Sequence, residues 1–90
     1  MKVIVRWTRS ALNELATIWT QADSALRQAI TATTHQIDQL LQNDPENEGE
    51  SRDAGTRVLI LFPLANRYEV DIQKGVVRVL RIRSFRRRGS

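Results

Sequence analysis

Arg67-Tyr68-Glu69-Val70-Asp71-Ile72-Gln73-Lys74-Gly75-Val76-Val77-Arg78-Val79-Leu80-Arg81-Ile82-Arg83 holds two β-rich runs around a Gln-Lys-Gly turn. Tyr68, Val70 and Ile72 alternate with Arg67, Glu69 and Asp71, the period of a strand with one wet face. So short a connection makes residues 67–72 and 76–83 antiparallel neighbours. Upstream, residues 57–62 form a third β-rich run, joined to the others by a turn at Pro63 and Asn66. Three short-linked strands predict an antiparallel meander that needs cover on one face. Strict alternation along the last run places Val77, Val79, Arg81 and Arg83 on one face, with Val76, Arg78, Leu80 and Ile82 on the other.

The cover comes from the N-terminal half. Residues 2–7 alternate as a further strand, with Val3, Val5 and Trp7 on one face. Thr8 offers a hydroxyl cap to a helix carrying Ala11, Leu12, Leu15, Ile18 and Trp19 at helical spacing. After a break near Gln21–Asp23, Asp23 or Ser24 caps a second helix with Leu26, Ala29, Ile30, Ile37, Leu40 and Leu41 on its apolar side. That helix stops before Asn43-Asp44-Pro45, since proline cannot continue it. The expected fold is α+β, in the order β-α-α-β-β-β, with a helical hairpin packed on one face of a mainly antiparallel sheet. Leu15, Ile18, Ile30, Ile37 and Ile82 are expected in the core, and Trp7 and Trp19 are read as core residues too. Ninety residues make one domain, 1–90, ending in a basic tail at 84–90.

Composition narrows the chemistry. There is no cysteine, hence no disulfide and no thiolate metal site. With one histidine, His35, a site built from imidazoles is excluded, and no cofactor or metal is expected. The loop from Asp44 to Gly55 superficially resembles a calcium loop, but its twelfth position is Gly55 and its ninth Arg52, which excludes calcium. No run is long enough to span a membrane, and the N-terminal residues read as a strand rather than a signal peptide, so a cytoplasmic protein is expected. Net charge is +4, unevenly spread: Asp44, Glu46, Glu48, Glu50 and Asp53 crowd one loop. From Arg57 onward, nine basic residues face only Glu69 and Asp71, a net charge of +7 that calls for an anionic partner.

Several stretches, taken in order, resemble one family. They are Val5-Arg6-Trp7-Thr8 with Ala11, Leu15 and Ile18; Pro45; Gly49-Glu50-Ser51-Arg52; Gly55-Thr56-Arg57-Val58-Leu59; Pro63-Leu64; Tyr68-Glu69-Val70; and Val77-Arg78-Val79-Leu80-Arg81-Ile82. Together the chain is similar to the RelE/ParE toxins of type II toxin–antitoxin modules, over nearly its whole length. The resemblance implies an antitoxin partner and one of two actions: inhibition of DNA gyrase by ParE-like members, or cleavage of mRNA on the ribosome by RelE-like members. Cleavage through a 2′-hydroxyl needs a base, an acid and cations for the developing charge. This chain has only Lys2 and Lys74 as lysines, and Ser84-Phe85 where related proteins carry histidine or tyrosine. Arginine holds charge but is a poor proton shuttle. The ParE-like branch is therefore preferred, with the ribonuclease and a plain basic nucleic-acid-binding module as alternatives.

The candidate partner- or anion-binding residues are Arg52, Arg57, Arg67, Arg81, Arg83, Arg86 and Arg87, expected around an open sheet face. A ribonuclease would draw on Arg57, Arg81 and Arg86. Arg57 has two readings: an anion anchor on the open face, or a salt bridge to the acidic loop. Gly49-Glu50-Ser51-Arg52 reads foremost as a structural turn in which Glu50 and Arg52 pair with neighbours. His35 is read as a surface residue.

Overall fold

The computed structural model describes residues 3–85, so the expectations for Lys2, Arg86, Arg87 and Arg88 fall outside the described residues. The chain folds as β1 (Ile4–Trp7), α1 (Arg9–Gln21), α2 (Ser24–Asn43), β2 (Glu50–Ser51), a single 3-10 turn (Asp53–Gly55), β3 (Thr56–Leu61), β4 (Leu64–Asp71) and β5 (Val76–Ser84). The sheet order is β1-β5-β4-β3-β2, with β1 parallel to β5 and every other pair antiparallel. The α+β hairpin-on-sheet architecture is as the sequence predicts, with β2 added as a short edge strand inside the acidic loop.

Local chemistry sets the helices. The Thr8 hydroxyl accepts from the Ala11 N–H at 3.2 Å, and the Asp23 carboxylate accepts from the Leu26 N–H at 2.8 Å. Arg27 closes the hairpin: its guanidinium donates to the carbonyls of Trp19 (2.9 Å) and Thr20 (3.1 Å) and lies 4.2 Å from the Trp19 ring centroid. This places a cation on the negative end of α1. Helix α2 runs through Asn43, one residue past the expected stop, and ends at Asp44 just before Pro45.

Ile30, Ile37 and Leu41 of α2 and Ala11 of α1 pack on Leu59, Leu64, Tyr68, Val77, Val79 and Ile82 of the sheet. Leu15 and Ile18 are partly buried against this core. Trp19 departs from expectation: it is 44% exposed, because its ring turns outward under Arg27. Trp7 is half-buried and donates its indole N–H to Asp38 at 2.9 Å. Asn66 is not in the turn. It lies in β4 opposite Leu59 and Ile82, fully buried, while the β3–β4 connection passes through Phe62 and a cis Pro63.

The last strand breaks strict alternation. Tyr68 faces Val79 and Arg67 faces Arg81, so Leu80 is an extra residue, a β-bulge. One inserted residue resets the period. Val77, Val79 and Ile82 all point to the helices, whereas Arg78, Arg81 and Arg83 point away from them. The grouping of Arg81 and Arg83 with Val77 and Val79 is thus corrected. None of the described helices is long and apolar enough to cross a membrane.

Candidate anion-binding face

The face of the sheet turned away from the helices carries four cross-strand rows, the outermost made of Asp71, Val76 and Ile4. Val58, Arg67 and Arg81 stand opposite one another, as do Ile60, Ala65 and Arg83, and as do Thr56, Glu69, Arg78 and Arg6. Between the Val58 and Ile60 rows lies a groove of about 330 Å³ lined by Val58, Ala65, Asn66, Arg67, Arg81 and Arg83. An apolar floor walled by three guanidinium groups suits an anion with an apolar or planar neighbour.

The arginines differ in what else holds them. Arg78 is committed to Glu69, its Nε 2.7 Å from the carboxylate. Among the described residues, Arg67 and Arg83 have no hydrogen-bond or ion-pair partner. Arg81 donates its Nε to Glu14 of α1 at 2.9 Å, which leaves its terminal NH1/NH2 edge for another anion.

That bond follows from unequal strand lengths. β1 ends with Trp7 opposite Val79, where the Thr8 N–H still donates to the Val79 carbonyl at 3.0 Å. β5 continues to Ser84 without a strand on this side. The Glu14 carboxylate takes over, accepting from the Ile82 N–H at 3.0 Å through one oxygen and from Arg81 through the other. The Ile82 N–H and then Arg81 hold the Glu14 carboxyl below the usual carboxylate range, against an opposing push from burial.

Arg57 does not join this face. Its ladder partner is Tyr68, on the helix side of the sheet, and it donates to the carbonyls of Glu48 (2.9 Å) and Gly49 (3.0 Å). Of its two expected readings, the contact to the acidic loop is the one formed, although to backbone oxygens rather than to a carboxylate. Tyr68 works beside it, donating to the Pro45 carbonyl at 2.8 Å with the Glu48 carbonyl also against its hydroxyl. Burial pushes the Tyr68 phenol above its ordinary range. Gly49 is required here. Its φ is +68°, and a Cβ would fall 2.5 Å from the Val58 carbonyl oxygen.

Arg52 lies after the edge strand β2, and pairs with Glu50 at 3.3 Å. His35 is exposed on α2. The structure therefore brings together Arg67, Arg81 and Arg83 and keeps Arg52 and Arg57 apart from them. Glu14 went unnoticed in the sequence: it sits 67 residues from Arg81, and no local pattern marks it. Also unremarked was the edge-to-face pair Phe62–Phe85 at 5.4 Å, close to the Arg83 end of β5. Among the described residues no group of three or more His, Asp and Glu side chains converges to hold a metal.

Searched by sequence, the chain matches no family model and no curated protein. Its structure does find relatives. The toxin–antitoxin complex RelBE2 of Mycobacterium tuberculosis superposes with a TM-score of 0.74 at 19% identity, over 94% of this chain and 93% of that one. A chromosomal ParDE system of P. aeruginosa gives 0.75 at 22% identity, over 94% and 98%. This chain has the RelE/ParE toxin fold. The intact E. coli RelBE complex is a further example, with a TM-score of 0.63 at 19% identity, over 94% and 99% of the two chains. Chains from both RelBE and ParDE systems superpose on this one, so the fold does not by itself choose between the two actions.

Proposed function

We propose that this chain is the toxin of a type II toxin–antitoxin module, held inactive by an antitoxin and acting in the cytoplasm by docking its arginine face on a cellular target. DNA gyrase is the favoured target. The fold likeness to chains from RelBE and ParDE systems supports the toxin reading. The observation that carries the choice of action is the make-up of the groove, whose ionisable side chains are Arg67, Arg81 and Arg83. Guanidinium groups bind and orient anions but stay protonated at working pH, so they do not relay protons. The phenol of Tyr68 is buried on the opposite side of the sheet, and His35 is on α2.

The second reading is a ribosome-dependent mRNA endoribonuclease. The Phe62–Phe85 pair beside Arg83 favours it, since aromatic rings next to a basic groove suit stacked bases. Against it, Arg57, one of its three expected residues, faces the other way.

Two assays separate these actions. Purified toxin added to gyrase should inhibit supercoiling, while mRNA on programmed ribosomes stays intact. Site-specific cleavage of ribosome-bound mRNA, with gyrase unaffected, would replace the first reading by the second.

A further inference from the structure

We propose that Glu14 is a built-in competitor for Arg81: carried on α1, its carboxylate withholds one of the three groove arginines and so limits the affinity of the open face for phosphodiester anions. The inference rests on reading the open face as the docking surface. Capping the bare edge of β5 needs one acceptor, and one oxygen of Glu14 supplies it by taking the Ile82 N–H at 3.0 Å. The second oxygen meets the Nε of Arg81 at 2.9 Å, although the Arg81 backbone presents its side chain to the open face opposite Arg67. The backbone bond anchors the carboxylate, and the anchored carboxylate draws Arg81 towards the sheet edge.

The pair is accessible, with side-chain exposures of 51% for Arg81 and 26% for Glu14, so an incoming anion can compete for the same guanidinium. Arg67 and Arg83 are left as groove cations with no hydrogen bond or ion pair among the described residues, although the Glu14 charge also reaches Arg83. Selectivity follows. A passing polyanion meets two free charges rather than three, and a cognate surface that reaches the NH1/NH2 edge of Arg81 regains the third. Discrimination by a built-in opposing charge is a general way to reject wrong partners.

The test measures binding of a short fluorescein-labelled oligothymidylate across a salt series, to wild type, Glu14→Gln, Arg67→Ser, Arg81→Ser and Glu14→Gln/Arg81→Ser. Glutamine keeps an oxygen for the Ile82 N–H and removes the charge. Glu14→Gln should bind about three- to tenfold tighter, with the slope of log K against log salt steeper by about 0.7, one more phosphate contact on a single strand. In the Arg81→Ser background that gain should shrink to the small part carried by Arg83. Arg81→Ser alone should weaken binding less than Arg67→Ser, because Arg81 is already occupied. The proposal is overturned if Glu14→Gln binds no tighter, if its gain persists undiminished without Arg81, or if Arg81→Ser and Arg67→Ser cost the same. In all three of these results Arg67→Ser still weakens binding, and the docking face itself stands. If Arg67→Ser has no effect on binding, the docking face falls and the role of Glu14 with it.

Discussion

Arg67 stands directly opposite Arg81 in the β4–β5 ladder, and the two project from the same face of the sheet. Facing like charges destabilise a strand pair. The fold bears this cost, and one of the two charges is countered by a carboxylate from a helix on the far side of β5. A surface that concentrates positive charge against its own stability fits a role in anion recognition, and that relationship can be tested from several sides.

Replacing Arg67 and Arg83 together by serine should slow capture of the cognate antitoxin by about tenfold at low salt and flatten the salt dependence of the rate. Neither side chain has a hydrogen bond or ion pair among the described residues, and losing Arg67 relieves its repulsion with Arg81, so stability should stay within about 0.5 kcal/mol of wild type or rise slightly. Stopped-flow association at several ionic strengths decides it. An unchanged rate and slope would mean that the partner docks elsewhere.

The Glu14 carboxyl is lowered on folding. A depressed acid stabilises the folded state at pH above its unfolded pKa, about 4.3, and that contribution fades as pH falls through the lower folded value. Denaturant midpoints of wild type and Glu14→Gln should therefore differ at neutral pH and converge in acid. Curves that stay parallel down to the acid limit would remove Glu14 from the account of β5.

Arg57 and Tyr68 together hold the backbone of the acidic loop at Pro45, Glu48 and Gly49. Arg57→Ala should cost about 2 kcal/mol, and Tyr68→Phe about 1 kcal/mol. Both should raise amide exchange in residues 46–50 before it rises in α2. Because the Tyr68 phenol is raised on folding, wild type should also lose stability as pH climbs past about 10, a loss that Tyr68→Phe abolishes. Exchange that rises equally everywhere would show that the two side chains hold the core rather than the loop.

The buried Asn66 amide has no hydrogen-bond partner on either side-chain atom among the described residues. A buried unpaired amide costs roughly 1–3 kcal/mol. Asn66→Leu, with the same branched outline but bulkier methyl groups, and flanked by Leu59 and Ile82, should raise the melting temperature by about 4–8 °C per kcal/mol regained net of overpacking. A calorimetric scan in which both this variant and the less bulky Asn66→Val melt lower would mean that the amide is satisfied after all.

The element order, both helix caps, the acidic loop and the three-stranded meander were legible because each rests on local chemistry. A hydroxyl or carboxylate before an apolar stripe starts a helix, proline ends one, and a Gln-Lys-Gly turn folds a strand back. The buried set at Ile30, Ile37 and Ile82 was legible for the same reason, as apolar positions recur at fixed periods. Trp19 was misread because a helical period marks an apolar stripe without saying how wide the covered part is, and Arg27 covers that ring from the solvent side.

By itself, then, the sequence determined the α+β frame and the pooling of positive charge in the last third. Which arginines share a face was decided only in the tertiary structure. A single bulge residue, Leu80, shifts Arg81 and Arg83 across the sheet relative to Val77 and Val79, and no propensity announces it. Arg57 turns to the loop because its ladder partner is Tyr68, and Glu14 reaches Arg81 because β1 is shorter than β5. Register, bulges and strand ends depend on pairings between residues far apart in the chain, so periodicity along one strand cannot contain them.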